Sequence, residues 1–326
     1  MASMIPLITL EEHFFSTAIG TPQTYAEMYK HLPGVEDKLH DVSDLRLAEM
    51  AKGAVTKQVI SHAPGMGALS PSDCSSANDE LAASVRKLPS RFAGFAVLSL
   101  RDPEAAAAEL RRCVTELGFV GALIDNHVEG VHYEGSAFKP IWAAAQDLDV
   151  PIYLHPVFPT REMQTRYAGE ISVGAASSLG TSAWGWHSET GLHVLKLFAA
   201  GVFDEFPRLK IIVGHFGEML PFMLGRVVRL SQRWGPRERL FREVYRENIW
   251  VTTSGASSDW GVDAMGTILR NTKMDHILYS VDYPFAKNED GLTFMEELRE
   301  SGLVTEEEFK DIGYRNAEKL LRITVD

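Results

Sequence analysis

Cysteine is almost absent from this chain: Cys74 and Cys113 are the only two among 326 residues. So few thiols exclude a disulfide-built scaffold and point to a reducing compartment, the cytoplasm. A basic excess is missing as well. Lys and Arg number 32 against 44 Asp and Glu, a formal net charge of −12, and such a chain lacks the positive footprint that nucleic-acid phosphates demand. No apolar run approaches the ~20 residues of a membrane-spanning helix. The stretch 1–8 carries no basic residue and its apolar character breaks at Glu11 and Glu12, so it does not read as a secretory leader. Repeats, low-complexity tracts and linker-like segments are lacking too, and residues 1–326 read as one domain.

What is present is an ordinary globular composition, 45% apolar and 23% charged, in a chain long enough for a large core. Eight short β-branched or apolar runs recur, at 6–9, 56–61, 92–98, 119–124, 151–154, 210–213, 249–252 and 276–280. Several are apolar at nearly every position, as strands of a parallel sheet covered on both faces are. Helical patterns separate them, at 103–117, 136–148, 189–200, 217–234, 260–269, 291–301 and 305–320. The first has Asp102 as cap and Pro103 in its first turn. The last opens with Thr305-Glu306-Glu307-Glu308, a capping box. Alternating strands and helices predict a parallel α/β architecture, and eight strands favour a closed (β/α)8 barrel over an open sheet. Residues 14–42 and 160–186 read as irregular loops.

Five residues able to bind metal or move protons fall at or just past strand C-termini: Glu11 and His13, His155, His215 and Asp282. In a parallel barrel those ends open on one face, where such enzymes build their sites. Glu11 and His13 are spaced i, i+2, so on an extended chain they share a side and Glu12 points away. His215 lies between Gly214 and Gly217, which permit a sharp turn or a close approach. His and carboxylate donors without thiolates suit Zn²⁺ or Mn²⁺ better than Ca²⁺.

The motifs Leu10-Glu11-Glu12-His13-Phe14, Tyr153-Leu154-His155-Pro156, Gly214-His215-Phe216-Gly217-Glu218, Thr252-Thr253-Ser254-Gly255 and Ser280-Val281-Asp282-Tyr283-Pro284-Phe285 resemble those of the amidohydrolase-superfamily decarboxylases. These include the γ-resorcylate, salicylate and 2,3-dihydroxybenzoate decarboxylases. The resemblance runs over nearly the whole chain. It implies a TIM barrel of the metal-dependent hydrolase type, with one divalent cation, Zn²⁺ ahead of Mn²⁺ or Mg²⁺, on Glu11, His13, His155 and Asp282. It further implies His215 as catalytic neighbour with Glu218 in support, Asp282 as proton donor, and Arg226 near the substrate.

The implied reaction is non-oxidative decarboxylation of an ortho-hydroxybenzoate such as 2,6-dihydroxybenzoate, 2,3-dihydroxybenzoate or salicylate, by a homodimer or homotetramer. Metal-dependent hydrolysis of a lactone or amide is the alternative on the same scaffold, and a non-catalytic metal-binding protein a third. His62, where relatives commonly carry Asn, Thr or Tyr, and Tyr283, beside Asp282, are the other candidate substrate contacts. Trp184, Trp186 and Phe158 are candidate pocket aromatics, and Arg161 and Arg166 candidate carboxylate partners.

Overall fold

Each of the eight apolar runs forms a strand: β1 (Ile8–Phe14), β2 (Lys57–His62), β3 (Phe92–Gly94), β4 (Ala122–Asp125), β5 (Pro151–His155), β6 (Lys210–Val213), β7 (Ile249–Thr252) and β8 (Ile277–Leu278). They belong to a computed structural model that describes residues 5–325; residues 1–4 of the stretch read for a leader lie outside it. All neighbouring pairs are parallel. The strand order is β1-β2-β3 in one ladder and β4-β5-β6-β7-β8 in another, which makes the predicted (β/α)8 arrangement. A single parallel bridge, Ala96 to Ala122, links the two ladders. No ladder joins β8 to β1. Their seam is fastened instead by the His13 N–H donating to the Tyr283 carbonyl at 2.7 Å and by Ser280 Oγ accepting from Leu10 and Glu11.

Alternation along the strands sorts side chains into two layers. Ile8, Leu10, Val59, Leu123, Tyr153 and Ile212 pack inside the barrel, closed below by Leu320 and Leu321 of the last helix. Ile60, Ile152, Leu154, Ile211, Val213 and Val251 face outward to the helices. On β5 the inward Tyr153 therefore puts His155 at the mouth. On β1 strict alternation after Ile8 and Leu10 would bring Glu12 inward. The β1–β2 register shifts between Thr9 and Glu12, and this irregularity turns Glu11 and His13 into the mouth instead, as bulges re-aim side chains. Both lie within β1 and not beyond it, because the strand continues to Phe14.

Several helix boundaries differ from the sequence reading. The helix expected from 217 begins at Leu220, since His215, Phe216, Gly217, Glu218 and Met219 all have positive φ and cannot start a right-handed turn. The capping box at Thr305 is present, but that helix passes through a π turn at Asp311–Arg315. Both supposed loops hold short helices: Gln23–Tyr29 and Val35–His40 in one, Arg161–Thr165 and Val173–Gly180 in the other. Among the described residues no helix is long and apolar enough to cross a membrane.

Candidate active site

Strands β1 and β5 and the turn after β8 bring one atom each from Glu11, His13, His155 and Asp282 to within 4.8 Å of one another. Glu11 and His13 are fully buried, His155 nearly so, and Asp282 is 18% exposed on its side chain. The separations are those of neighbouring ligands: 2.9 Å from His155 Nε2 to Glu11 Oε1, and 3.2 Å from His13 Nε2 to Asp282 Oδ1. Yet Glu11 Oε1, His13 Nε2, His155 Nε2 and Asp282 Oδ1 are all buried without a hydrogen-bond partner.

Such a set is costly unless something satisfies it. Cation–ligand bonds of ~2.1 Å place tetrahedral donors roughly 3–3.5 Å apart, so a divalent cation fits this cradle. The opposite ends of the same side chains are anchored. His155 Nδ1 donates to the Pro156 carbonyl at 2.6 Å, leaving Nε2 as the free lone pair, and His13 Nδ1 meets Ser61 Oγ at 3.3 Å. Glu11 Oε2 accepts from the Tyr153 hydroxyl, itself 2.8 Å from Thr252 Oγ1.

Beside the cradle stands His215. Its Nε2 lies 3.7 Å from Glu11 Oε1 and 4.0 Å from Asp282 Oδ2, while Nδ1 is 2.8 Å from Glu218 Oε1. The other Glu218 oxygen is 2.7 Å from His187 Nδ1, and His187 Nε2 donates to the Ser182 carbonyl at 2.8 Å. Gly214 makes the approach possible: a Cβ there would stand 2.7 Å from Glu11 Oε2 and 3.1 Å from the Tyr153 hydroxyl.

At His13 burial prevails and lowers the pKa, whereas at His215, Glu11 and Glu218 the neighbouring opposite charges together outweigh burial. Despite burial, Glu11, Glu218 and Asp282 hold His215 well above its ordinary pKa. Despite burial, His215 and His155 hold Glu11 far below the carboxylate range, and His215 and His187 hold Glu218 low. The side chains by themselves thus favour a protonated His215 between two carboxylates.

Other expected contacts fall elsewhere. His62 sits at the end of β2, but Nε2 accepts the Ser16 N–H and Nδ1 donates to the Ala63 carbonyl, both at 3.1 Å. Burial keeps it neutral, its pKa lowered to about 4, so neither nitrogen is free for a substrate. Arg226 lies on the exposed face of the helix Leu220–Ser231 and pairs with no carboxylate among the described residues. The Tyr283 ring faces Arg46, at 4.9 Å from its guanidinium, and Lys38. Arg166 pairs with Glu189 at 3.8 Å, and Arg161 is exposed.

Of the aromatics, Trp184 lines a cavity of about 330 Å³ with Ala183, His187, His215, Met219 and Trp260, next to the cluster. Phe158 lines a larger one of about 650 Å³ with Ile171, Val173 and Ala176, to which no residue of the cluster contributes. The sequence reading does not single out Trp260, Met219 or His187, the last of which falls between the loop expected at 160–186 and the helix expected from 189. The one sequence signal for His187 is its place after the Trp184-Gly185-Trp186 aromatic run.

The amidohydrolase family profile matches residues 32–323. The chain is 53% identical over 325 residues to the decarboxylase orsB of Emericella nidulans, covering 98% of this chain and 97% of that protein. It is 34% identical over 334 residues to the gamma-resorcylate decarboxylase of Polaromonas sp., covering 97% and 98%. A crystal structure of the dihydroxybenzoic acid decarboxylase from Polaromonas sp., with bound manganese and the inhibitor 2-nitroresorcinol, superposes with a TM-score of 0.86 at 33% identity. That match covers 98% of this chain and 97% of the other.

Proposed function

This chain belongs to the amidohydrolase family and is one of its decarboxylases, and we propose that it removes CO₂ without an oxidant from an ortho-hydroxybenzoate. The observation that carries this reading is the cradle of four buried, unpartnered donor atoms with His215 beside it, 3.7 Å from Glu11 and 4.0 Å from Asp282. The relatives named above are decarboxylases, which sets the lactone or amide hydrolase aside. The protein uses a divalent metal ion. We assign it to Glu11, His13, His155 and Asp282, as Zn²⁺ or Mn²⁺; the two-imidazole, two-carboxylate donor set suits both, and manganese is bound in the Polaromonas relative.

When bound, the cation supplies Lewis-acid stabilisation of the substrate's carboxylate and phenolate oxygens. The chain's own side chains manage the proton. Direct loss of CO₂ would leave an aryl carbanion, so the ring carbon bearing the carboxylate is protonated first. Asp282 is the donor. Its Oδ1 belongs to the cradle and its Oδ2 faces His215 Nε2 at 4.0 Å, so the proton passes from His215 through Asp282 to carbon. The C–C bond then breaks, its electron pair returns to the ring, and CO₂ leaves. Glu218, gripped by His187, holds His215 in line and stabilises its charge.

Substrates of this class fit the cavity beside His215 and His187, whose walls are largely apolar. Both cysteines are free and buried, in keeping with a cytoplasmic protein, and we take the assembly to be a homodimer or homotetramer. The test is a panel of ¹³C-carboxyl-labelled 2,6-dihydroxybenzoate, 2,3-dihydroxybenzoate and salicylate. Labelled CO₂ should be released from at least one, and release should stop on chelation. Inertness toward all three would overturn the assignment.

A further inference from the structure

The barrel wall has no ladder between β8 and β1, and a buried carboxylate stands in that gap. Glu12 is 0% exposed. Its Oε1 accepts the Val281 N–H at 3.1 Å and the Ser280 hydroxyl at 3.2 Å. Its Oε2 accepts the Tyr283 N–H at 3.1 Å and the Gln58 amide at 3.3 Å. Two of these four donors are the backbone N–H groups on either side of Asp282. Asp282 itself has φ +78°, a left-handed conformation that a residue with a side chain holds only when its surroundings impose it.

The groups behind the carboxylate are fixed in turn. Arg46 Nη1 donates to Gln58 Oε1 at 3.3 Å, which orients the Gln58 amide toward Glu12, and Arg46 Nη2 donates to the His13 carbonyl at 2.5 Å. The Ser280 hydroxyl gives its proton to Glu12 because its oxygen already accepts from Leu10 and Glu11, at 3.0 and 2.8 Å. Every polar group that meets Glu12 is therefore a donor, a demand that two carboxylate oxygens satisfy and an amide does not.

We propose that Glu12 is a positioning residue which, by clamping the N–H groups of Val281 and Tyr283, fixes the left-handed turn that aims Asp282 at the Glu11–His13–His155 cradle and at His215. It touches neither substrate nor reacting atoms and works through Asp282, so the inference rests on the ligand and proton-donor roles given to Asp282 above. Glu12→Gln keeps the volume but sets an NH₂ group against an N–H, so it breaks the clamp on one side of Asp282.

The experiment compares wild type, Glu12→Gln, Glu12→Asp, Asp282→Asn and the Glu12→Gln/Asp282→Asn double variant. The readouts are Mn²⁺ affinity by chelator competition and steady-state kinetics on 2,6-dihydroxybenzoate. Glu12→Gln should bind Mn²⁺ about tenfold more weakly and lose ~10²-fold in kcat, with KM within about threefold of wild type. Glu12→Asp, which keeps both acceptor oxygens, should recover part of the Mn²⁺ affinity. The double variant should bind Mn²⁺ no more weakly than Asp282→Asn alone, because the clamp acts through the side chain already removed.

A residue that merely stabilises the fold would give additive losses, and that result overturns the proposal. So does wild-type Mn²⁺ affinity in Glu12→Gln beside a crippled Asp282→Asn. Wild-type behaviour of Asp282→Asn would instead remove the premise. If Glu12→Gln does not fold, Gln58→Met, which removes one of the four donors, should show the same non-additive pattern at about threefold in Mn²⁺ affinity; additivity there overturns the proposal equally.

Discussion

His62 and His155 look alike in the sequence: each ends a barrel strand, and a proline follows within two residues. Asp125 and Asp282 make a second pair, one ending β4 and the other in the turn that follows β8. The structure separates them by what their polar atoms have left to bind. His62 gives both nitrogens to backbone groups, and Asp125 gives its oxygens to the N–H groups of Gly65 and Gly67, each at 2.8 Å. His155 and Asp282 each keep one buried atom without a partner, and those atoms meet. Position at the mouth of a barrel thus nominates a residue, and unused hydrogen-bonding capacity decides between architecture and chemistry.

Substitutions can break that contrast, and the largest effect belongs to Asp282→Asn. It should lower kcat by ~10³-fold or more while the protein stays folded, as loss of a general acid does. Labelled CO₂ release and circular dichroism would check both halves. His155→Ala and His13→Ala come next. Each removes a donor from the cradle, and metal content after dialysis should fall from one ion per chain to well under half, measured by elemental analysis; full retention in His13→Ala would remove His13 from the ligand set.

His187→Ala should lower kcat about tenfold with little change in KM, because it frees one oxygen of the Glu218 that holds His215 without touching the cradle. The smallest effect on turnover is expected on the architectural side. His62→Leu should leave kcat within about threefold yet lose about 1–3 kcal/mol of stability, since the buried Ser16 N–H goes unpaired. Urea unfolding reads that loss, and a large fall in kcat at unchanged stability would place His62 among the substrate contacts after all.

Much of this was legible in the residues. The strands were, because buried parallel strands are continuously apolar, and so was the pairing of Glu11 with His13, because it follows from the two-residue period. The shift that turns this pair inward was not: Thr9 and Leu10 carry no glycine or other mark of a bulge. The end of the left-handed run, Gly217 to Met219, reads as the start of a helix because its apolar spacing continues into one. Nor does a sequence show which histidines are satisfied. His62 was promoted and His187 overlooked for that one reason: the partners that decide, Ser16 for one and Glu218 for the other, lie 46 and 31 residues away.

Anomalous diffraction from crystals of the protein loaded with Mn²⁺ would locate the ion itself. One peak should lie between Glu11, His13, His155 and Asp282, within bonding distance of all four. A peak bound elsewhere, or a cradle still empty at saturating Mn²⁺, would contradict the account.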